Sequence, residues 1–161
     1  MLRVAREASK YLPVDGEWLV SPEKLEPPMK AFNWSRMQFR ADEVNYSIYN
    51  GFRGLASEGV KIVAVVWGDG YVEGMNFVFG LATPELGVAT VYTRRLESEG
   101  KLEERLVKEV LHELGHLLGL GHCNNKKCVM SFSLTLAEVD EKGPGFCSEC
   151  SIRLARALGR G

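Results

Sequence analysis

The pattern of apolar and polar positions predicts one long amphipathic helix over residues 101–118. Its apolar side chains recur every three to four residues, at Leu102, Leu106, Val107, Val110, Leu111, Leu114, Leu117 and Leu118. His112 and His116 fall on nearly the opposite side of the helix from Val110 and Leu114. We therefore expect one face of this helix to pack on a sheet while the other borders a cleft.

Weaker helical periodicity predicts three further helices, at residues 2–12, 41–58 and 148–158. Glycines inside the second stretch weaken that prediction, because glycine disfavours helix interiors. Residues 21–35 contain three prolines, among them Pro22, and are therefore expected to form an ordered loop.

Four stretches have the composition of strands. Residues 61–67 are almost continuously apolar, which predicts a central strand buried on both faces. Residues 75–79 and 87–93 predict two further strands joined by a turn around Pro84, and the second alternates as a strand with one less buried face does. The short apolar patch at residues 17–20 suggests an edge strand.

Composition indicates one soluble domain with an ordinary core. The chain has 161 residues, of which 45% are hydrophobic and 25% charged, and its net charge is -1. Nothing in this balance favours nucleic acid or an anionic membrane as a partner. The first residues are charged and resemble no signal peptide, and no apolar run approaches the roughly 18 residues of a membrane span. We expect a cytoplasmic protein, whose four cysteines would bind metal or do redox work.

The tryptophans and one arginine are expected to have ordinary structural roles. The three tryptophans, Trp18, Trp34 and Trp67, are expected to be packing residues. Arg105 has the chemistry to meet a substrate carboxylate, but a solvated surface position is the better expectation for an arginine.

All three histidines of the chain lie within residues 112–122. His112 and His116 are four apart on the predicted helix, so they point in nearly the same direction and can share one ion. Glu113 is placed to reach a water on that ion. Gly119 can take the left-handed conformation that ends a helix and returns the chain, which would bring His122 to the same ion. Three imidazoles and one open position are the ligand set of a catalytic zinc site.

Such a site predicts hydrolysis. Zinc lowers the pKa of its bound water to about 7 and polarises a carbonyl, while Glu113 would act as general base and later as general acid. A bare His-Glu-x-x-His arises by chance in many helices, so that part alone is weak. The fixed glycine and third histidine favour metal binding, because the alternative needs three unrelated histidines to align with a helix end.

The four cysteines form two close pairs about twenty residues apart: Cys123 with Cys128, and Cys147 with Cys150. This arrangement is typical of a closed four-thiolate zinc site, which would join the last helix to the segment after the histidines. Two alternatives remain: a redox pair at Cys147 and Cys150, or four buried free thiols.

Together, these motifs resemble the metzincin zinc proteases and, within them, the archaemetzincins. The matching pattern is His112-Glu113-x-x-His116-x-x-Gly119-x-x-His122-Cys123, then after four residues Cys128-x-Met130, and later Cys147-x-x-Cys150. Residues 77–80, Phe-Val-Phe-Gly, also look like that family. The first sixty residues match little and look short for the family, and the family's usual first strand has no match among them.

The resemblance implies an α+β fold in which a small twisted mixed sheet packs on a long zinc-binding helix. It implies one catalytic domain over residues 1–161, with an N-terminal part of about residues 1–122. The C-terminal part, about residues 123–161, would carry a methionine turn and a final helix and be held by zinc. Met130 would lie beneath the catalytic zinc without binding it, although by itself a methionine there indicates plain packing. Two zinc ions per chain are implied, one catalytic and one structural.

The resemblance also implies peptide-bond hydrolysis by an aminopeptidase or an endopeptidase of restricted specificity. Its partner would be a peptide or protein substrate, paired with the strand at residues 87–93, and we expect a monomer. One alternative is a zinc-stabilised binding module whose peptidase site is latent or inactive. Another is redox or metal sensing through the cysteines.

Overall fold

The fold is α+β: the short strands all lie within residues 32–92, and three helices follow them. The computed structural model describes residues 1–13, 16–21 and 24–159, so Pro22 of the proline-containing segment lies outside the described residues. The helices there are α1 (Leu2–Ser9), α2 (Ala41–Gly51), α3 (Arg53–Ser57), α4 (Leu102–Leu117), α5 (Leu136–Glu141) and α6 (Ser148–Ala157). The strands there are β1 (Phe32–Asn33), β2 (Gln38–Arg40), β3 (Ile62–Val66), β4 (Gly70–Tyr71), β5 (Gly80–Thr83) and β6 (Val88–Tyr92).

The main sheet has the strand order β3-β6-β5 and is mixed, because β6 runs parallel to β3 and antiparallel to β5. Every residue of β6 is buried, whereas β3 is mostly half-buried at one edge. The prediction that residues 61–67 form the central strand was therefore wrong. An apolar run reports burial of the faces of a strand, and it does not report whether both edges are paired.

Two helices cover opposite faces of this sheet. Thr90 of β6 donates a hydrogen bond to Asn45 of α2, whereas Val91 packs in the same cluster as Leu111 of α4. Because neighbouring residues of a strand point to opposite faces, α2 and α4 lie on different sides. The expectation that the long helix packs on a small mixed sheet is confirmed.

The next predicted strand was misplaced. Residues 75–79 form a loop with a single β-bridge from Val78 to Gly70, and the strand begins at Gly80. The carbonyls of Met75 and Asn76 accept hydrogen bonds from the Arg36 side chain, and the Gln38 amide also donates to Asn76. Those carbonyls are therefore unavailable to a strand ladder.

Residues 17–20 form no strand either, and Leu19 there is 84% exposed. Trp18 packs on the core as expected. Trp34 and Trp67 are exposed, and Arg105 is buried, so those three expectations were wrong. Ion pairing accounts for Arg105, because its guanidinium binds the Asp140 carboxylate.

The long helix was predicted almost to the residue, since α4 spans Leu102–Leu117, and α6 agrees equally well. The helix expected at residues 41–58 is interrupted at Phe52, which separates α2 from α3. The described part of the C-terminal segment packs into the same apolar cluster as α1 and α4, through Val139 and Leu154. None of the described helices combines the length and apolarity that crossing a membrane requires.

Candidate active site and metal centres

His112 and His116 stand one turn apart on α4, and their Nε2 atoms are 3.1 Å from each other. The His122 ring joins them, and one ring nitrogen from each of the three lies within 4.8 Å of the others. A tetrahedral zinc with bonds of about 2.0–2.1 Å would hold two such nitrogens roughly 3.3 Å apart. The structure thus brings together the three histidines predicted as ligands, at a spacing that fits zinc.

Backbone carbonyls fix the orientation of two of these rings. Nδ1 of His112 donates to the carbonyl of Val129, and Nδ1 of His116 donates to the carbonyl of Leu120, both at 2.8 Å. These hydrogen bonds place the proton on Nδ1 and leave the Nε2 lone pair for a metal. Burial lowers the pKa of all three imidazoles, well below the ordinary value for His112, which favours the neutral form that ligates metal.

The chain reverses direction directly after α4. Gly119 has a φ of +93°, the left-handed conformation expected there, and the N–H of Leu120 returns to the carbonyl of Gly115 at 2.9 Å. This turn carries His122 back beside the other two rings. Its ring lies 4.9 Å from that of Phe132.

Glu113 lies under the edge strand β5. The backbone N–H of Ala82 bonds its carboxyl group, and Gly80 makes room for it, since a Cβ at Gly80 would lie 2.5 Å from Oε1 of Glu113. Burial is the main cause that raises the pKa of Glu113 well above its ordinary value, and the charge of Glu109 raises it further. A carboxyl group with a raised pKa is suited to proton transfer near neutrality.

Met130 is fully buried, and its sulfur packs directly against Gly115 of α4. A side chain at Gly115 would collide with that sulfur, so the glycine permits the close approach. The carbonyl of Met130 also accepts the N–H of Cys123 at 2.9 Å. Met130 therefore supports the helix between the two turns that carry His112 and His116.

The four cysteines converge at a second site. Their sulfurs lie within 4.8 Å of one another, and the Sγ atoms of Cys123 and Cys147 are 3.8 Å apart. A tetrahedral zinc with Zn–S bonds of about 2.3 Å would separate two sulfurs by roughly 3.8 Å, whereas a disulfide would need about 2.05 Å. The thiols are free, and their spacing fits a metal.

Local backbone contacts already favour a thiolate here. Cys147 is the N-cap of α6, and the N–H of Cys150 lowers the pKa of Cys147. The N–H of Cys147 in turn donates to Sγ of Cys128 at 3.3 Å. Burial raises the pKa of Cys128 and of Cys150, so a cation would be needed to hold all four thiolates together.

A cleft of about 590 Å³ opens onto the histidines and Glu113. Most of its other lining side chains are apolar, among them Val72, Met75, Phe77, Leu81, Phe132 and Leu134. Two charged residues that the sequence reasoning missed, Glu109 and Lys142, also line it. Glu109 precedes Glu113 by one helical turn, so the sequence spacing could have predicted that both face the cleft. No local sequence pattern marks Lys142.

The expected substrate strand was misassigned. The strand at residues 87–93 is β6, whose two edges already pair with β3 and β5, so it cannot accept another strand. Among the described strands, none pairs with the second edge of β5, where the Ala82 N–H binds Glu113, and Gly80, Leu81 and Ala82 line the cleft. Of the described strands of the main sheet, β5 is the one that offers a peptide an edge at the cleft.

Comparison with known proteins gives a consistent result. The model of peptidase family M54 matches residues 6–156. The archaemetzincin of Aeropyrum pernix is 53% identical over 161 residues, which cover 99% of this chain and 88% of that protein. The crystal structure of the archaemetzincin of Methanopyrus kandleri superposes with a TM-score of 0.82 at 39% identity, over 98% of this chain and 85% of that one. A zinc-dependent peptidase from Methanocorpusculum labreanum gives a TM-score of 0.78 at 32% identity, over 94% and 91%.

Proposed function

Because the chain belongs to peptidase family M54 and is a zinc metallopeptidase, we propose that His112, His116 and His122 hold its catalytic zinc and that Glu113 moves the proton. One observation carries this proposal. Three neutral imidazoles, two of them oriented by backbone carbonyls, converge within 4.8 Å at the wall of a cleft that also contains Glu113. That donor set fits zinc better than it fits a hard cation, which would prefer oxygen ligands.

The three histidines and Glu113 have separate roles in this proposal. A zinc ion bound by the three imidazoles would lower the pKa of a water molecule and polarise the scissile carbonyl. Glu113 accepts a proton from the attacking water and later gives it to the leaving amine. Its raised pKa suits both roles, and the Ala82 N–H together with the close approach of Gly80 keeps the carboxyl group in one orientation.

The family implies peptide or protein substrates. We propose that an extended substrate lies along β5, because this edge strand borders the cleft next to Glu113. Whether the enzyme removes single residues from an N-terminus or cuts within chains stays a prediction, which mapping of the products would decide. That the protein acts as a monomer and forms a single domain also stays a prediction.

We propose a second, structural zinc at Cys123, Cys128, Cys147 and Cys150. The sulfur spacing of 3.8 Å and the backbone N–H groups directed at the thiols support it. Because such a site needs reduced thiols, a cytoplasmic location is consistent with it. The buried Met130 behind the histidines supports placing the chain among the metzincins.

Metal analysis combined with cleavage-product mapping on a peptide library tests this function. The purified protein is expected to hold two zinc ions and to cleave members of the library, and a chelator should stop the cleavage. Glu113→Ala should keep both ions and lose hydrolysis by about 10²–10⁴-fold, the usual contribution of general acid–base catalysis.

Unchanged turnover in Glu113→Ala would refute the mechanism. A wild-type protein that holds both ions and cleaves no library member would instead favour the latent binding module. One zinc together with titratable thiols would reopen redox function for the cysteines.

A further inference from the structure

His122 is held less firmly than the other two proposed ligands. Backbone carbonyls orient the rings of His112 and His116, whereas no described residue forms a hydrogen bond with the ring of His122. His122 is also the exposed member of the three, and it follows a loop that contains Gly119 and Gly121. Because glycine restrains the backbone least of all residues, the loop itself does little to order this side chain.

Phe132 supplies the contact that His122 otherwise lacks. The centroids of the two rings lie 4.9 Å apart, and the ring planes are inclined by 50°. Aromatic rings attract one another at centroid separations of about 4.5–7 Å when they are not stacked squarely face to face. The other described rings beside His122 belong to His112 and His116, which would share its ion. Phe132 is therefore the described ring that can hold His122 without being a ligand itself.

The backbone that carries Phe132 is ordered by contacts on either side of it. The N–H of Cys123 donates to the carbonyl of Met130 at 2.9 Å, which brings the residues before Cys123 beside the residues after Met130. Ser131 is 3% exposed, and its carbonyl accepts a hydrogen bond from Nζ of Lys142 at 3.4 Å. The ring of Phe132 thus projects from an anchored segment and can restrain a histidine on a less anchored one.

The other described aromatic residues of the cleft are engaged elsewhere. The rings of Phe77 and Phe79 contact each other at 5.2 Å, and the guanidinium of Arg95 lies 4.1 Å from the centre of the Phe77 ring. Neither ring makes a described aromatic contact with a histidine. Leu134 also lines the cleft and is 53% exposed, but it has no ring to present to His122.

We propose that Phe132 is a positioning residue for the third zinc ligand: its ring holds the His122 imidazole in the orientation that completes the three-histidine site. The inference rests on the proposed function, since it assumes that zinc binds at the histidines. A phenyl ring has no lone pair for the ion and no proton to transfer. Phe132 acts by ordering His122 before the ion binds, so that less conformational entropy is lost on binding.

The effect is expected in zinc affinity. Groups that orient a ligand from outside the metal site contribute about 10–100-fold to affinity. Contacts between aromatic rings are weaker than the hydrogen bonds on which that range is based, so the lower end applies here. Phe132→Ala should therefore weaken zinc binding at the histidines by about tenfold, whereas the cysteines and the melting temperature should be little affected.

Histidine NMR measures this affinity without any assay of activity. The three histidines of the chain all belong to this site, so their ring signals report on it alone. Protein with isotope-labelled histidine, first dialysed to free the histidines of metal, would be titrated with Zn²⁺ at fixed pH against a chelator of known affinity. Leu134→Ala is the matched control, because it removes another exposed apolar side chain from the same wall of the cleft. It should bind zinc as tightly as the wild type.

A double-mutant cycle separates positioning from a change in solvent access. If Phe132 acts through His122, Phe132→Ala should cause no further loss of affinity in a His122→Ala protein, in which two histidines still bind the ion weakly. Loss of apolar cover over the ion would instead weaken binding in both backgrounds. Phe132→Leu keeps apolar bulk but lacks the flat face of the ring, so its affinity should lie between those of the wild type and Phe132→Ala.

Two results would overturn the inference: zinc binding by Phe132→Ala that is as tight as in the wild type, or the same loss of affinity in the His122→Ala background. Melting curves establish that each variant is folded, and Phe132→Leu decides the question should the alanine variant fail to fold. A wild-type protein whose three ring signals do not respond to Zn²⁺ would overturn the catalytic zinc site as well. Failure of the positioning role alone is therefore distinguishable from failure of the proposed function.

Discussion

The two proposed metal sites meet at the peptide bond between His122 and Cys123, and they are built in opposite ways. Two of the three histidines belong to one helix, and backbone carbonyls orient their rings. The four cysteines come from two segments, residues 123–128 and 147–150, with the second pair at the start of α6. The histidines open onto the cleft, whereas none of the cysteines lines it.

The difference concerns what each ion would hold together. The helix and its carbonyl contacts already order His112 and His116, so an ion there adds little to the fold and supplies chemistry. The cysteine cluster joins α6 to the segment that contains Met130, two parts that also meet through the hydrogen bond from Val129 to Gly145 and through the apolar packing of Leu154. An ion there would therefore contribute folding free energy, as structural zinc does.

The largest expected effect comes from removing one thiol. Cys150→Ser should lose one zinc per chain, lower the melting temperature strongly and loosen the C-terminal part, because structural zinc contributes on the order of 10 kcal/mol in small zinc domains. Metal analysis and calorimetric melting measure this. Ser151→Ala, next to it on α6 and outside the sulfur cluster, is the control and should change little. A Cys150→Ser protein with wild-type melting temperature would mean that the cysteines hold no structural metal.

His122→Ala should show the complementary behaviour. It removes one ligand from the catalytic ion and leaves the sulfurs in place, so zinc affinity at the histidines should fall by at least about a hundredfold, since even partners beyond the ligands contribute 10–100-fold. Peptide hydrolysis should fall with it while the melting temperature changes little. If the melting temperature dropped as far as in Cys150→Ser, the division into a chemical site and a structural site would be wrong.

Most of the candidate site could be predicted from the sequence, because local geometry places its proposed ligands. Helical spacing was enough to bring His112 and His116 together, and Gly119 was enough to predict the turn that returns His122. Residues supplied by distant segments gave no such signal. Lys142 and the carbonyl of Val129 reach α4 only through the tertiary fold.

Strand order was harder to predict for a related reason. Residues 61–67 and 87–93 were both recognised as strands, yet their apolar content reports burial and carries no information about neighbours. β6 became central because β5 pairs with its other edge, and the start of β5 at Gly80 depends on Arg36 and Gln38 binding the preceding carbonyls.

A smaller effect is expected from Gly80→Ala, which tests whether β5 holds the Glu113 carboxyl group in position. The added methyl group would lie 2.5 Å from Oε1 of Glu113, so the carboxyl group must move. A misplacement of this kind lowers turnover by about 10–100-fold, while both zinc ions should remain bound. Steady-state kinetics and metal analysis measure this. Gly54→Ala is the matched control, since nothing lies within 4 Å of its new methyl group. Equal turnover in both variants would show that Gly80 does not position Glu113.

The smallest effect should come from the ion pair between Arg105 and Asp140, which joins α4 to α5 without a metal. Arg105 of α4 holds Asp140 of α5, and this hydrogen bond and charge lower the pKa of Asp140 from 3.8 to about 2. A lowered carboxyl pKa stabilises the folded state above the unfolded value and loses that contribution as the pH falls through the folded value. Asp140→Asn should therefore reduce the free energy of unfolding by about 1–2 kcal/mol at pH 7. About half of that difference should remain at pH 3, and little at pH 2. Melting both proteins in matched buffers measures the difference, and a difference that stayed constant from pH 7 to pH 2 would show that this bridge does not join the regions electrostatically.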